Sequence, residues 1–285
     1  EGEEDQAATL LAETIAHGGE VETMAGMVSL VGAGPGAPDL LTLRAVQRLQ
    51  EADIIYYDNL VDDRILELAR RDAERIYVGK RPGAHAWPQD RINGVIVAAA
   101  QKGQRVVRLK SGDPLVFGRA AEEASALDAA GIDWEVVPGV TSALAAAAEA
   151  RFFPTERGVA QSLVLATGMG ANGAVPEDIA SLCPPGTTAA LYMARRSLPL
   201  ICDQLRAAGL PDDAPTVTVE AATQKESLVE RQSFADLRES AGACARRNPA
   251  IIFVQNPAHS ADAPDIEIET VPEITDAKIV KLAVA

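Results

Sequence analysis

A chain of 285 residues can bury a sizeable core, as one large domain or two of ordinary size. Hydrophobic residues at 47% and charged residues at 24% give a globular composition and exclude a disordered one. With 26 basic against 41 acidic residues, the net charge of −15 argues against a nucleic-acid or anionic-membrane surface. Cys183, Cys202 and Cys244 are widely spaced, with neither metal-ligand spacing nor a disulfide framework. A reducing, cytoplasmic setting fits that usage. No apolar run is long enough to span a bilayer, and His17 and His259 suggest no metal site.

Residues 1–26 differ in character from the rest of the chain and read as a loosely ordered N-terminal arm, with one short amphipathic helix over 7–16, ended by Gly18-Gly19, as the alternative. From 27 the pattern alternates: a strand at 27–33, a helix at 39–51 capped by Asp39, a strand at 53–57, a helix at 62–70, and a strand at 74–78. A helix opening at Pro88 runs to 102, followed by a strand at 104–109, a helix from Ala120, a strand at 134–137 and a helix after Thr141. Strands separated by helices of this length predict βαβ units and a mostly parallel sheet. The rhythm breaks at 151–155. A second α/β half then places strands at 161–167, 188–193, 215–220 and 250–255, and helices at 197–208 and 234–243. Glycines at 168–173 mark a loop, and a proline- and acid-rich stretch leads into an irregular tail. The domain assignment is an arm at 1–26, α/β domains at 27–150 and 151–262, and a tail at 263–285.

Residues 104–119 carry the strongest local signal. A β-branched strand ends in the turn cluster Ser111-Gly-Asp-Pro114, at the strand end where open α/β sheets place their ligands. The loop Gly32-Ala-Gly-Pro-Gly-Ala37 invites a dinucleotide-binding reading. A pyrophosphate, however, is held by consecutive backbone N–H groups, and Pro35 and Pro38 each delete one. From pattern alone Asp58, closing the second strand, is more often a cap or turn former than a functional acid.

Taken together and in order, Val31-Gly-Ala-Gly-Pro-Gly36, Tyr57-Asp58, Val78-Gly-Lys-Arg81, Lys110-Ser-Gly-Asp-Pro-Leu-Val-Phe-Gly-Arg119, Val137-Pro-Gly-Val-Thr141 and Tyr192-Met193 resemble the tetrapyrrole methylases over residues 27–255. The resemblance implies two α/β domains of the tetrapyrrole methylase type with a cleft between them. It implies C-methylation of uroporphyrinogen III at C2 and C7 to precorrin-2, with S-adenosylmethionine as cofactor, S-adenosylhomocysteine as product and no metal. It also implies a homodimer, and makes the arm a candidate remnant of an upstream domain. Methylation of a later corrinoid precursor and a non-catalytic tetrapyrrole- or cofactor-binding module remain as alternatives.

Residue by residue, Asp58 matches the family's proton acceptor. Lys80 matches its proton donor, and would serve equally to neutralise a substrate carboxylate. Pro35, Ser111, Gly112, Asp113, Val116, Thr141, Ser142, Met193 and Ala222 match cofactor contacts. Arg81, Arg119 and Arg157 are candidate clamps for the substrate carboxylates. Lys80, Arg81, Arg108, Lys110 and Arg119 form the local basic concentration that a polycarboxylate needs against an acidic chain. The family usually has Gly at the positions of Ser111, Ala120-Ala121, Ala222 and Gln255, and His at Glu156. If position 111 requires a left-handed backbone, Ser there costs about 1–2 kcal/mol.

Overall fold

The computed structural model describes residues 26–79, 87–170, 173–176, 178–242 and 248–258. The candidate arm helix, Lys80, Arg81, His85 and the tail lie outside the described residues, as do two positions of the 168–173 loop.

Five strands, β1 (Val28–Gly32), β2 (Ile54–Tyr57), β3 (Glu74–Tyr77), β4 (Val106–Lys110) and β5 (Trp134–Val137), form one sheet in the order β3-β2-β4-β1-β5. Every pairing in it is parallel, as the alternating pattern predicted. Because helices cover both faces, the central strands β1 and β4 are buried along their whole length. Helices α1 (Leu43–Glu51) and α2 (Asp63–Leu66) cover one face, where Leu49 and Ile65 pack on Ile55, Val107 and Leu109. Helices α3 (Gln89–Gln101) and α4 (Ala120–Ala129) cover the other, with Ile96 and Leu127 against Leu30, Ile54 and Val106.

The first helix departs from expectation. Pro38–Leu40 forms a single 3-10 turn, Leu41 is extended, and the α-helix starts only at Leu43. Its cap is Thr42, whose Oγ1 accepts the Ala45 N–H at 3.2 Å, so Asp39 does not cap it. Pro38, with its fixed φ, favours a separate short turn at the helix entrance.

Strands β6 (Ser162–Thr167), β7 (Thr187–Tyr192), β8 (Pro215–Glu220), β9 (Leu228–Ser233) and β10 (Ala250–Asn256) form the second sheet, ordered β6-β7-β10-β8-β9. Only β6 and β7 pair in parallel; the other three pairings are antiparallel. Four of its strands match the sequence reading. The polar edge strand β9, Leu-Val-Glu-Arg-Gln-Ser, carries too few β-branched residues to declare itself. Helices α6 (Leu198–Ala207) and α7 (Phe234–Ser240) pack on one face through Ile201, Leu205 and Phe234.

The opposite face receives α5 (Ser142–Glu149), the helix that follows β5. Ala143, Ala146 and Ala147 sit against Ala190, Val217, Val219 and Phe253. Small side chains let this helix lie close on the sheet, so the last helix of the first half is seated on the second.

Candidate active site

The chain leaves neighbouring strands β1 and β4 in opposite directions, toward β2 and β5. An open parallel sheet has a crevice beyond the strand ends at such a switch point. The two loops meet there backbone to backbone: Gly34 N–H donates to Gly112 O at 3.1 Å, and Gly112 N–H to Gly34 O at 2.7 Å. The Ala37 N–H is likewise taken, by Thr223 Oγ1 at 3.2 Å. The glycine-rich loop therefore spends these amides on its neighbours, which is incompatible with clasping a pyrophosphate.

Asp113 locks a third loop into the cluster. Its Oδ1 accepts from Leu115 N–H at 2.8 Å and its Oδ2 from Gly139 N–H at 3.0 Å. A Cβ on Gly139 would collide with the Gly112 carbonyl oxygen and stand 2.9 Å from Gly32 Cα. Gly139→Ala is therefore expected to destabilise by about 1–3 kcal/mol. By contrast Gly94→Ala, in α3 with nothing within 4 Å, should stabilise by roughly 0.5–1 kcal/mol. Urea unfolding of both proteins checks the contrast in sign.

Beside this cluster lies a cavity of about 660 Å³. Pro35, Ser111 and Ser142 line it from the first half, and Met193, Ala222 and Gln224 from the second. Ser111 and Ala222 thus border the space without filling it. Neither is left-handed: among the described residues the non-glycine positions with positive φ are Phe117, Arg119, Arg151, Met193, Ala221 and Thr223. Ser111 consequently carries none of the expected strain, which falls instead on Met193 at φ 52° and on Ala221 and Thr223, either side of Ala222, at 44° and 65°. Gly112, Asp113, Val116 and Thr141 are not on the wall. The volume falls within the range of small-molecule sites, and mainly apolar walls with a few hydroxyl and amide groups suit a nucleoside carrying a thioether or sulfonium chain; Arg195, paired with Glu220, and Arg196 also border the space.

The other departures lie away from this wall. Gln255 is buried in β10, where its Nε2 donates to Thr188 Oγ1 at 3.1 Å. Glu156 pairs through its backbone with Ala160. Ala120 and Ala121 border a smaller hollow of about 230 Å³, as does Arg119. Arg119 makes a two-point ion pair with Glu122, both bonds 2.7 Å. Arg157 is exposed, and neither arginine reaches the large cavity.

Residues carrying the site's charge were only partly visible in the sequence. In β4 the alternation turns Val107 and Leu109 to one face and Val106, Arg108 and Lys110 to the other, beneath α4. Arg108 and Lys110, which the sequence grouped with cations available to substrate, are instead only 2% and 3% exposed. Glu123, 1% exposed, accepts from Arg108 Nε at 2.9 Å, from Lys110 Nζ at 2.9 and 3.0 Å, and from Gln89 Nε2 at 3.3 Å. Arg108 Nη2 then reaches both oxygens of Asp58 at 2.7 and 2.8 Å, and its Nη1 donates to the Leu109 and Tyr56 carbonyls. Burial, together with the Arg108 charge, pushes the Lys110 ammonium below its ordinary value. For Arg108 burial acts in the same sense, but Asp58 and Glu123 outweigh it and hold the guanidinium above its ordinary value. A strand-helix spacing of this kind offered one signal, an acidic residue in the first turn of α4 after a basic strand, but not the burial.

Among the described residues no group of three His, Cys, Asp or Glu could hold a metal ion. Among the same residues no helix is long and apolar enough to cross a membrane.

The family model of tetrapyrrole (corrin/porphyrin) methylases matches residues 27–238. The chain belongs to the tetrapyrrole methylase family. It is 45% identical over 229 residues to a siroheme synthase of Pseudoalteromonas atlantica, covering 80% of this chain and 50% of that one. A siroheme synthase of Pseudomonas aeruginosa is 44% identical over 253 residues, 89% of this chain and 54% of its own. The methylase therefore spans about half the length of the curated relatives it matches. Among solved structures, uroporphyrin-III C-methyltransferase from Thermus thermophilus, complexed with S-adenosylhomocysteine, matches with a TM-score of 0.70 and 37% identity, over 80% of this chain and 97% of that one. A cobalt precorrin-4 methyltransferase matches with a TM-score of 0.71 and 30% identity, over 80% and 94% of the two chains.

Proposed function

We propose that this methylase transfers methyl groups from S-adenosylmethionine to C2 and C7 of uroporphyrinogen III, giving precorrin-2 in sirohaem and cobalamin biosynthesis. The observation that carries the reading is the convergence of five family-matched positions, Pro35, Ser111, Ser142, Met193 and Ala222, on one cavity. The 37% identity to a uroporphyrin-III methyltransferase over nearly all of that enzyme supports the same substrate class. We further propose that the chain works as a cytoplasmic homodimer, and that 27–150 and 151–262 act as two domains about the cavity.

Those five residues would hold S-adenosylmethionine, which supplies a methyl group already activated on a sulfonium. The protein's task is then alignment, and the interlocked Gly34 and Gly112 turns hold their neighbours Pro35 and Ser111, which line the cavity, in fixed positions for it. On the macrocycle side, a pyrrole carbon that takes up a methyl group becomes cationic and must release a proton. Asp58 is the group for that step: its side chain keeps 32% exposure while Arg108 fixes it from below. An oriented carboxylate can offset the developing charge or accept the proton, directly or through water. Lys80, Arg81, Arg119 and Arg157 remain candidate partners for proton donation and the substrate carboxylates.

Incubating the protein with uroporphyrinogen III and S-adenosylmethionine should give a dimethylated product, read by its absorbance and mass. Calorimetry should detect S-adenosylhomocysteine. Binding without turnover would replace the enzyme by a binding module, and absence of both would remove the reading.

A further inference from the structure

A polar contact connects the two walls of the cavity. Tyr192 ends β7 of the second sheet, yet its hydroxyl lies at the first turn of α5, which arrives from the first sheet. There it accepts the Ala143 N–H at 3.0 Å and shares a hydrogen bond of 2.6 Å with Thr141 Oγ1. A helix start leaves several N–H groups without intrahelical partners, and the cap residue's own side chain ordinarily takes one. Here the cap residue Thr141 makes no such bond, and a side chain 49 residues away takes its place.

The residues on either side of this contact are wall residues. Ser142 follows Thr141, Met193 follows Tyr192, and both line the cavity, as does Tyr192 itself, while its hydroxyl is directed to the helix start. Met193 also sits in the left-handed region at φ 52°, a conformation that costs a non-glycine residue about 1–2 kcal/mol and needs its surroundings to hold it. The Tyr192 ring is fixed as well, packed at 5.0 Å on Phe117, itself left-handed at φ 52°.

We propose that Tyr192 is a positioning residue, whose hydroxyl sets the separation and register of the Ser142 and Met193 walls and so the affinity for the cofactor. The proposal rests on the reading of this cavity as the S-adenosylmethionine site. Burial pushes the phenol above its ordinary value, so the hydroxyl keeps its proton and its bond across the neutral range.

Tyr192→Phe removes one oxygen and keeps the ring and its packing on Phe117, so the protein folds. Two measurements are made on wild type and variant: amide hydrogen exchange without ligand, and calorimetric titration with S-adenosylhomocysteine. Loss of one accepted hydrogen bond is expected to speed exchange at Ala143 about fivefold or more, and to weaken the cofactor product by a similar factor. Exchange in strands β8 and β10 should not change. Exchange at Ala143 within twofold of wild type would overturn the proposal. So would faster exchange, or a lower thermal midpoint, with unchanged S-adenosylhomocysteine affinity, since that assigns the hydroxyl a purely structural role. If the wild-type protein does not bind S-adenosylhomocysteine, the cofactor reading fails and the positioning role falls with it; the exchange comparison then separately decides whether the hydroxyl holds the helix start.

Discussion

Asp58→Asn is expected to slow methyl transfer by about 10²–10⁴-fold, the usual contribution of a positioned acid or base, while leaving S-adenosylhomocysteine affinity unchanged. The two effects separate because Asp58 does not line the cavity proposed for the cofactor. Asn keeps one oxygen to accept from Arg108 Nη2, so the local fold survives, but the negative charge is gone. A pyrrole carbon that has just become cationic then faces a net positive cluster, Arg108 and Lys110 sharing the single Glu123 carboxylate, where Asp58 had screened it. That raises the barrier at the moment the charge develops and leaves the binding of the cofactor alone. Single-turnover rates at saturating S-adenosylmethionine, compared with calorimetry, separate the two. A rate within tenfold of wild type would transfer the role to another group, and a matching loss of cofactor affinity would make Asp58 a structural residue.

Arg108→Met is expected to destabilise the protein by about 3–5 kcal/mol, the cost of breaking a buried ion pair by removing one partner. The variant leaves Glu123, 1% exposed, with Lys110 as its remaining counter-ion, and strands the Asp58 carboxylate above it. The same physics predicts that removing the charges together is less harmful. Arg108→Met, Lys110→Met and Glu123→Leu combined should destabilise less than Arg108→Met alone, because the part-exposed Asp58 is stranded in both but no ion then remains at the fully buried positions. The comparison is one of urea midpoints at equal slope. If the triple variant is the less stable of the two, the network contributes net stability and the argument from desolvation is wrong. If it is the more stable but inactive, the ions are retained because Arg108 holds Asp58 in place.

The paired outcomes bear on how this acidic chain would handle the polyanionic substrate proposed for it. Two of the five cations singled out from the sequence are spent internally, each neutralised by an acid reached through the fold. Of the remaining three, Arg119 is paired with Glu122, whereas Arg195 and Arg196, which the sequence did not single out, border the large cavity.

Most of the architecture was written locally. Short apolar strands at 27–33, 53–57 and 104–109, separated by helical stretches, leave a parallel sheet as the consistent arrangement. Pro35 and Pro38 by themselves weaken a pyrophosphate reading, since a missing N–H is a property of the residue. The ordered motifs likewise identify the family without coordinates, because each is a short run whose residues are fixed by the loop they build. Other features could only appear in three dimensions. Burial of Arg108 and Lys110 depends on which face of β4 the next helix along the chain comes to cover. The harmlessness of Ser111 depends on a backbone angle that residue identity does not specify; the strain sits on Met193, Ala221 and Thr223 instead. The Tyr192 contact joins positions 49 residues apart, one on the second sheet and one on a helix arriving from the first. A sequence specifies which groups are present and how neighbours along the chain turn; which distant groups meet is set by packing, and here packing decides which charges are free and which walls are tied together.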